Sequence, residues 1–157
     1  IMEFPQFEKD EKSDQWTFLH HPFTSPQEED LELLESDPGA VTSRAYDLVI
    51  NGYEIAGGSI RNHDPEVQMK ILKLLGMSEE EATEKFGFLL EALTYGAPPH
   101  GGIAFGYDRF VMLLAGTHQI RDVIAFPKTT SALSLMDGSP SEVAKEQLDE
   151  LGIQLKK

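Results

Sequence analysis

Ala45-Tyr46-Asp47-Leu48-Val49-Ile50-Asn51-Gly52-Tyr53-Glu54-Ile55-Ala56-Gly57-Gly58-Ser59-Ile60-Arg61 is the stretch whose reading decides the fold. Residues 45–50 alternate as a strand does. Asn51-Gly52 is the strongest short hairpin signal, and residues 53–61 return as the partner strand. A two-residue type I′ turn sets the pairing: Ile50 opposite Tyr53, Val49 opposite Glu54, Leu48 opposite Ile55, Asp47 opposite Ala56. Opposed residues share a face, and so does every second residue along one strand. Asp47, Val49, Glu54 and Ala56 therefore point the same way, with Asp47 and Glu54 on a diagonal of roughly 7–8 Å between backbones. Two carboxylates at that reach can share a hard divalent cation such as magnesium. The same spacing also suits a solvated sheet face that happens to carry two acids.

Gly57-Gly58-Ser59 interrupts the returning strand. Paired glycines there predict a bulge or a close approach by a ligand. Strict alternation puts Arg61 on the face opposite Glu54, and one bulge residue brings it back to the carboxylates. On that face its guanidinium is a natural fork for a substrate carboxylate. The alternative is a surface arginine at a strand end.

Toward the C-terminus, Asp64-Pro65 opens a helix through Leu75 that Gly76 stops. Ser78-Glu79-Glu80-Glu81 opens another to about Leu93, with Gly96 behind it. Residues 101–106 read as a strand and 108–115 as an apolar helix. Gly101 to Phe110 is thus a glycine-bearing strand, a tight turn and a helix with Arg109 in its first turn. A helix N-terminus attracts anions, and an arginine added there suits a terminal phosphate. Glycines 101, 102 and 106 would let a flat ring lie against the strand. The spacing is not the dinucleotide fingerprint, and no repeating βαβ unit surrounds it. Residues 122–126 predict a short strand, 141–151 a final amphipathic helix and 153–155 a last strand.

Toward the N-terminus, residues 1–8 and 15–21 predict two strands joined by a polar loop. Ser25-Pro26-Gln27-Glu28 predicts a helix start, with Ser25 as N-cap, and Asp37-Pro38-Gly39 its end. His20 and His21 are adjacent, so on a strand they face opposite ways and at most one enters a given cavity. No nucleophile with a neighbouring base stands out. The pattern predicts an α+β fold, a mainly antiparallel sheet flanked by helices, in a single domain over residues 1–157. Ile1-Met2-Glu3-Phe4-Pro5 reads as the middle of a strand, which predicts that the chain is part of a longer protein.

The 157 residues carry 27 acids against 13 Lys and Arg, a net charge of −14. That argues against a self-sufficient nucleic-acid binder, because phosphate contacts need clustered basic residues. With no cysteine, disulfides and thiolate zinc sites are excluded. No apolar run approaches a membrane span.

Three segments together resemble class II aminoacyl-tRNA synthetases. Gly102-Ile103-Ala104-Phe105-Gly106-Tyr107-Asp108-Arg109 is similar to the family's third signature motif, Gly-x-x-x-Gly-x-(Asp/Glu)-Arg. His20-His21-Pro22-Phe23-Thr24-Ser25-Pro26, the hairpin with Gly57-Gly58-Ser59, and Arg121-Asp122-Val123-Ile124-Ala125-Phe126-Pro127-Lys128 resemble the bacterial aspartyl enzymes in particular. The resemblance covers nearly the whole chain. It implies that Arg109 holds the γ-phosphate of ATP, with Gly106, Tyr107 and Asp108 shaping the nucleotide site. It implies that Asp47 and Glu54 hold magnesium, with Ser59 behind them, and that Glu54 and Arg109 serve catalysis. Arg61 would pair with the side chain of L-aspartate, and His20 would help bind it, with His21 the second choice. The family's first two signature motifs, anticodon-binding barrel and inserted domain are not recognisable here. The resemblance thus predicts a piece of a cytoplasmic, homodimeric ligase that acts on aspartate, ATP and tRNA, and a chain that does not aminoacylate alone. The rivals are an asparaginyl or lysyl member of the same subclass and a non-catalytic module derived from a synthetase.

Overall fold

The computed structural model describes residues 1–156. Their contacts group into two compact units, residues 1–107 and the residues from 108 onward. The mixed α and β character and the antiparallel pairing are as expected from the sequence.

The first unit is built on the hairpin. Strands β3 (Ala45–Ile50) and β4 (Tyr53–Ile60) flank a turn in which Asn51 and Gly52 have φ of 53° and 82°. Two positive φ values in succession define the type I′ turn that Asn-Gly favours. β5 (Gly101–Phe105) pairs antiparallel with β4, giving the order β3-β4-β5. The register departs from strict alternation at one point. Ile50 faces Tyr53 and Val49 faces Glu54, but then Leu48 faces Ala56 and Asp47 faces Gly57. Ile55 is the extra residue of a β-bulge, so the bulge lies before the glycine pair. It arises because Ile55 is drawn into the interior, only 1% exposed, while its carbonyl accepts the Gly106 N–H at 2.7 Å.

A second antiparallel pair, β1 (Phe7–Lys9) and β2 (Trp16–Phe18), is shorter than the sequence predicts. Residues before it make single bridges instead, Met2 to Tyr46 and Pro5 to Thr42. Ser25 and Pro26 do not start a helix. Pro26 bridges Ser43, and Ser25 donates its N–H to the Ile60 carbonyl and accepts from Arg44 N–H. Pairing with two strands holds this segment extended, which overrides the local capping signal. A 3₁₀ turn follows at Glu28–Asp30, and α1 covers Leu33–Ser36.

α2 (Pro65–Leu74) and α3 (Glu79–Thr94) follow their signals closely. Asp64 caps α2 by accepting from the amides of Glu66 and Val67, and Ser78 caps α3 through Glu81 N–H. Gly76 and Gly96 close them at φ of 86° and 85°, which a side chain would strain. α2 buries Ile71 against Phe7, Leu34 and Val41, with Trp16, Leu31 and Val67 around them. Each such side chain contributes about 1.5–3 kcal/mol on burial. This cluster ties the β1–β2 pair to α2.

The second unit begins within α4 (Tyr107–Leu114). It continues through a 3₁₀ turn at Ile120–Val123 to α5 (Lys145–Glu150). The strands expected at 122–126 and 153–155 are absent, and the last helix is shorter than expected. The backbone of 120–123 is taken up by the 3₁₀ turn, and no neighbouring strand pairs with either segment among the described residues. No helix among the described residues is long and apolar enough to cross a membrane.

Candidate amino-acid and metal site

The bulge decides where Arg61 points. With Ile55 taken out of the alternation, Gly57 lies on the face of Asp47, and so do Ser59 and Arg61 two and four residues on. Glu54, opposite Val49, belongs to the same face. The result is a cavity of about 260 Å³ whose lining includes His20, Asp47, Glu54, Gly57, Ser59 and Arg61.

Gly57 is the floor between the two acids. A β-carbon there would stand 2.8 Å from Asp47 Oδ1 and 3.3 Å from Glu54 Oε1. The two carboxylates therefore converge over one bare backbone position. The neighbouring glycine serves packing. A β-carbon on Gly58 would fall 1.9 Å from the Gly102 carbonyl oxygen and 2.9 Å from the Tyr46 ring. Tyr46 O–H donates to that same carbonyl at 2.9 Å on the sheet's other face. Gly101 likewise lies against Ile60 and the Ser59 carbonyl, whereas Gly102 faces open space. Of the glycines expected to admit a flat ring, Gly102 keeps that room and Gly101 does not.

Two oxygen donors over a bare floor suit magnesium, which binds through one or two carboxylates and keeps water or phosphate on its other positions. Among the described residues no cluster of three or more His, Cys, Asp or Glu side chains surrounds one point, so an all-protein cage is not built here.

Both histidines line the cavity, contrary to the alternation argument. β2 ends at Phe18, and residues 19–23 run through bends and a turn, so the rule for adjacent strand residues does not hold there. His20 packs its ring at a tilt against Phe4, 4.4 Å between centroids, and places Nε2 3.9 Å from Asp47 Oδ2. His21 Nδ1 lies 3.1 Å from Arg61 Nη1 and accepts the Phe23 N–H at 3.2 Å. Burial, and then the charge of Arg61, hold the His21 imidazole below its ordinary pKa. The sequence puts His21 second; the signal against a continuing strand there was Pro22, which has no N–H to give to a sheet ladder.

The walls are braced by buried amides. Gln6 Nε2 donates to Thr24 O, Gln68 Nε2 to Pro22 O and Asn62 N–H to Phe23 O. Three consecutive carbonyls of the histidine loop are thus each held by a residue from a different part of the chain. Asn62 Nδ2 also donates to Gln68 Oε1, and Thr24 Oγ1 donates to Ser59 Oγ at 3.3 Å. Ser59 lines the same cavity as the carboxylates. Phe23 packs edge-on against Phe86 of α3 at 5.2 Å. Arg61 N–H donates to His100 O, which pins the end of β4.

Asp108 and Arg109 occupy the first turn of α4, as predicted, and Tyr107 joins them because the helix begins one residue earlier than expected; all three are exposed. Gly106 precedes them, with its N–H committed to Ile55.

The hairpin brings two acids and a guanidinium to one cavity face, and a glycine-bearing strand running into a helix follows later in the chain; these are the segments that resemble class II tRNA synthetases. The family model for class II tRNA synthetases (D, K and N) matches residues 1–130, and the chain belongs to that family. Within it, the chain is 62% identical over all its 157 residues to the aspartate–tRNA(Asp/Asn) ligase of Desulfatibacillum aliphaticivorans. It is 56% identical over 156 residues to the aspartate–tRNA ligase of Lysinibacillus sphaericus. The chain spans about a quarter (26%) of the length of these curated relatives. Among solved structures, the aspartyl-tRNA synthetase of Entamoeba histolytica superimposes with a TM-score of 0.58 at 30% identity, over 72% of this chain and 21% of that one. The asparaginyl-tRNA synthetase of the same organism, in complex with asparaginyl-adenylate, gives 0.58 at 26% identity, over 71% and 23%.

Proposed function

We propose that the longer protein carrying this chain is an aspartate–tRNA ligase. It activates L-aspartate with ATP to aspartyl-adenylate and transfers the aspartyl group to tRNA. The observation that carries this reading is a single cavity face shared by a carboxylate pair and a guanidinium. The names of the relatives, and the adenylate bound by a structural neighbour, support it.

Arg61 forks the side-chain carboxylate of aspartate, and His20 contacts the same amino acid. Asp47 and Glu54 would hold magnesium, which would neutralise phosphate charge when bound. Arg109 takes the γ-phosphate, and Gly106, Tyr107 and Asp108 shape the nucleotide site; these four roles rest on the resemblance of the signature. The α-carboxylate oxygen bonds to the α-phosphorus of ATP in line as the bond to pyrophosphate breaks. A ribose hydroxyl at the tRNA end then attacks the aspartyl carbonyl and releases AMP. Catalysis is positioning and charge stabilisation, with no covalent bond to the protein. Asparagine is rejected because it leaves the Arg61 charge without a carboxylate, which costs several kcal/mol as an order of magnitude. The protein works in the cytoplasm as a homodimer. With a net charge of −14 on this segment, its grip on tRNA comes from elsewhere in the dimer.

The test is ATP–pyrophosphate exchange by the full-length protein with aspartate, asparagine and lysine in turn. Exchange driven by aspartate alone supports the reading. Exchange driven by asparagine or lysine, or none with any of the three, removes it.

A further inference from the structure

Arg61 directly follows β4 and lines the cavity, and a guanidinium on a long side chain gives up rotamer freedom when it is fixed. Something must hold it before a substrate arrives if it is to read a carboxylate well. His21 is the side chain in place to do so. Its Nδ1 lies 3.1 Å from Arg61 Nη1 and 3.2 Å from the Phe23 amide nitrogen. Both of those groups can only donate. Nδ1 must therefore carry the lone pair, and the ring proton sits on Nε2. The ring is itself fixed: it packs on Phe23 at 4.9 Å, and Phe23 is wedged against Phe86. Its backbone is fixed by the Gln68 donation to Pro22 O and the Asn62 donation to Phe23 O.

We propose that His21 is a positioning residue for amino-acid selection: its Nδ1 lone pair fixes the Arg61 guanidinium so that the fork is aimed into the cavity before aspartate binds. The proposal rests on the reading of the site as an aspartate site. His21 acts through Arg61 and need not touch the substrate. Its neutral, Nε2-protonated form is the working form. The pressure of burial and of the Arg61 charge toward the neutral ring acts in the same direction.

Two amides separate this role from others. The oxygen of Asn stands near the place of Nδ1, whereas the amide of Gln reaches the place of Nε2. Aspartate-dependent ATP–pyrophosphate exchange by the full-length protein is measured for wild type, His21→Asn, His21→Gln and His21→Ala. The Ala and Gln variants should raise KM for aspartate about tenfold, the scale of one hydrogen bond to a charged group. Their kcat and KM for ATP should change less than about twofold, and His21→Asn should stay within about threefold of wild type. The ¹⁵N shifts of His21 in the wild type should report the Nε2–H tautomer. Rescue by Gln but not Asn would show that Nε2 acts on the substrate and would overturn the proposal, as would wild-type KM in all three variants or an Nδ1–H tautomer. An aspartate-independent wild type would remove the reading of the site itself, and the proposal with it.

Discussion

Gly57 and Gly58 are neighbours with separate physical reasons to lack a side chain. At Gly57 a methyl group would meet the tips of two side chains, Asp47 Oδ1 and Glu54 Oε1, which can rotate away. At Gly58 it would meet the backbone of Gly102, which cannot move without parting β4 from β5. The two alanine variants should therefore fail differently. Gly57→Ala should fold with a loss under about 1.5 kcal/mol, yet lose the convergence of its acids. Manganese, added as a paramagnetic probe, should broaden the amide signals of Gly57 and Ala104 in the wild type and leave them sharp in Gly57→Ala and Asp47→Asn. Gly58→Ala should lose about 3 kcal/mol or more in urea unfolding, as overpacking against a backbone does. Equal broadening in wild type and Asp47→Asn would contradict the metal assignment.

At the scale of elements, the single bulge residue Ile55 converts a hairpin that would turn Arg61 away from the acids into one that gathers all three on one face. Much of this was legible in the sequence. Asn51-Gly52 determined the turn, and the first two residue pairs followed from it. The option of a bulge was legible too: the glycine pair predicts a bulge or a close approach by a ligand, and one bulge residue restores the parity of Arg61, while a surface arginine at a strand end stays open on sequence alone. The position of the bulge was not legible, because glycines mark where a bulge is cheap, while burial of Ile55 and the bond from Gly106 decide where it is used. Ser25 and Pro26 were misread for a similar reason: their partners Ser43 and Ile60 are distant in sequence, and a window of local residues cannot reveal them. The brace of the histidine loop was illegible altogether. Gln68 sits mid-helix in α2, fully buried, with both ends of its amide used. Gln68→Leu should strand Pro22 O and Asn62 Nδ2 and cost about 2 kcal/mol or more in urea unfolding. A loss near zero would show that the loop is held without it.

The 3₁₀ turn at Glu28–Asp30 gives a pH-dependent counterpart. Asp30 Oδ2 accepts from the Thr42 hydroxyl and from Thr42 N–H at 2.9 Å. The hydroxyl first, and the amide second, hold its carboxyl below the ordinary value of 3.8. A carboxylate with a depressed folded pKa lends stability that is fully present above its unfolded value and is lost as pH falls through the folded one. The ¹³C carboxyl signal of Asp30 should thus titrate below pH 3.8, and Thr42→Val should move the midpoint upward. An unmoved midpoint would contradict the clamp.

Over the whole molecule, charge and selectivity are divided. The chain bears a net charge of −14, which disfavours polyanions at its surface, yet its cavity presents Arg61 among the acids, and on the proposed reading that arginine is what draws an amino acid with an acidic side chain. The chain by itself should not charge tRNA, and it should bind tRNA too weakly to survive moderate salt. The proposed function turns on one arginine, Arg61, reading a carboxylate. Calorimetry of the full-length protein with magnesium, using stable aspartyl- and asparaginyl-adenylate analogues, tests this most directly. The wild type should prefer the aspartyl analogue by about a hundredfold or more, and Arg61→Ala should erase most of that preference, since a desolvated charge pair is worth about 2–5 kcal/mol. Equal affinity of the wild type for the two analogues, or an undiminished preference in Arg61→Ala, would contradict it.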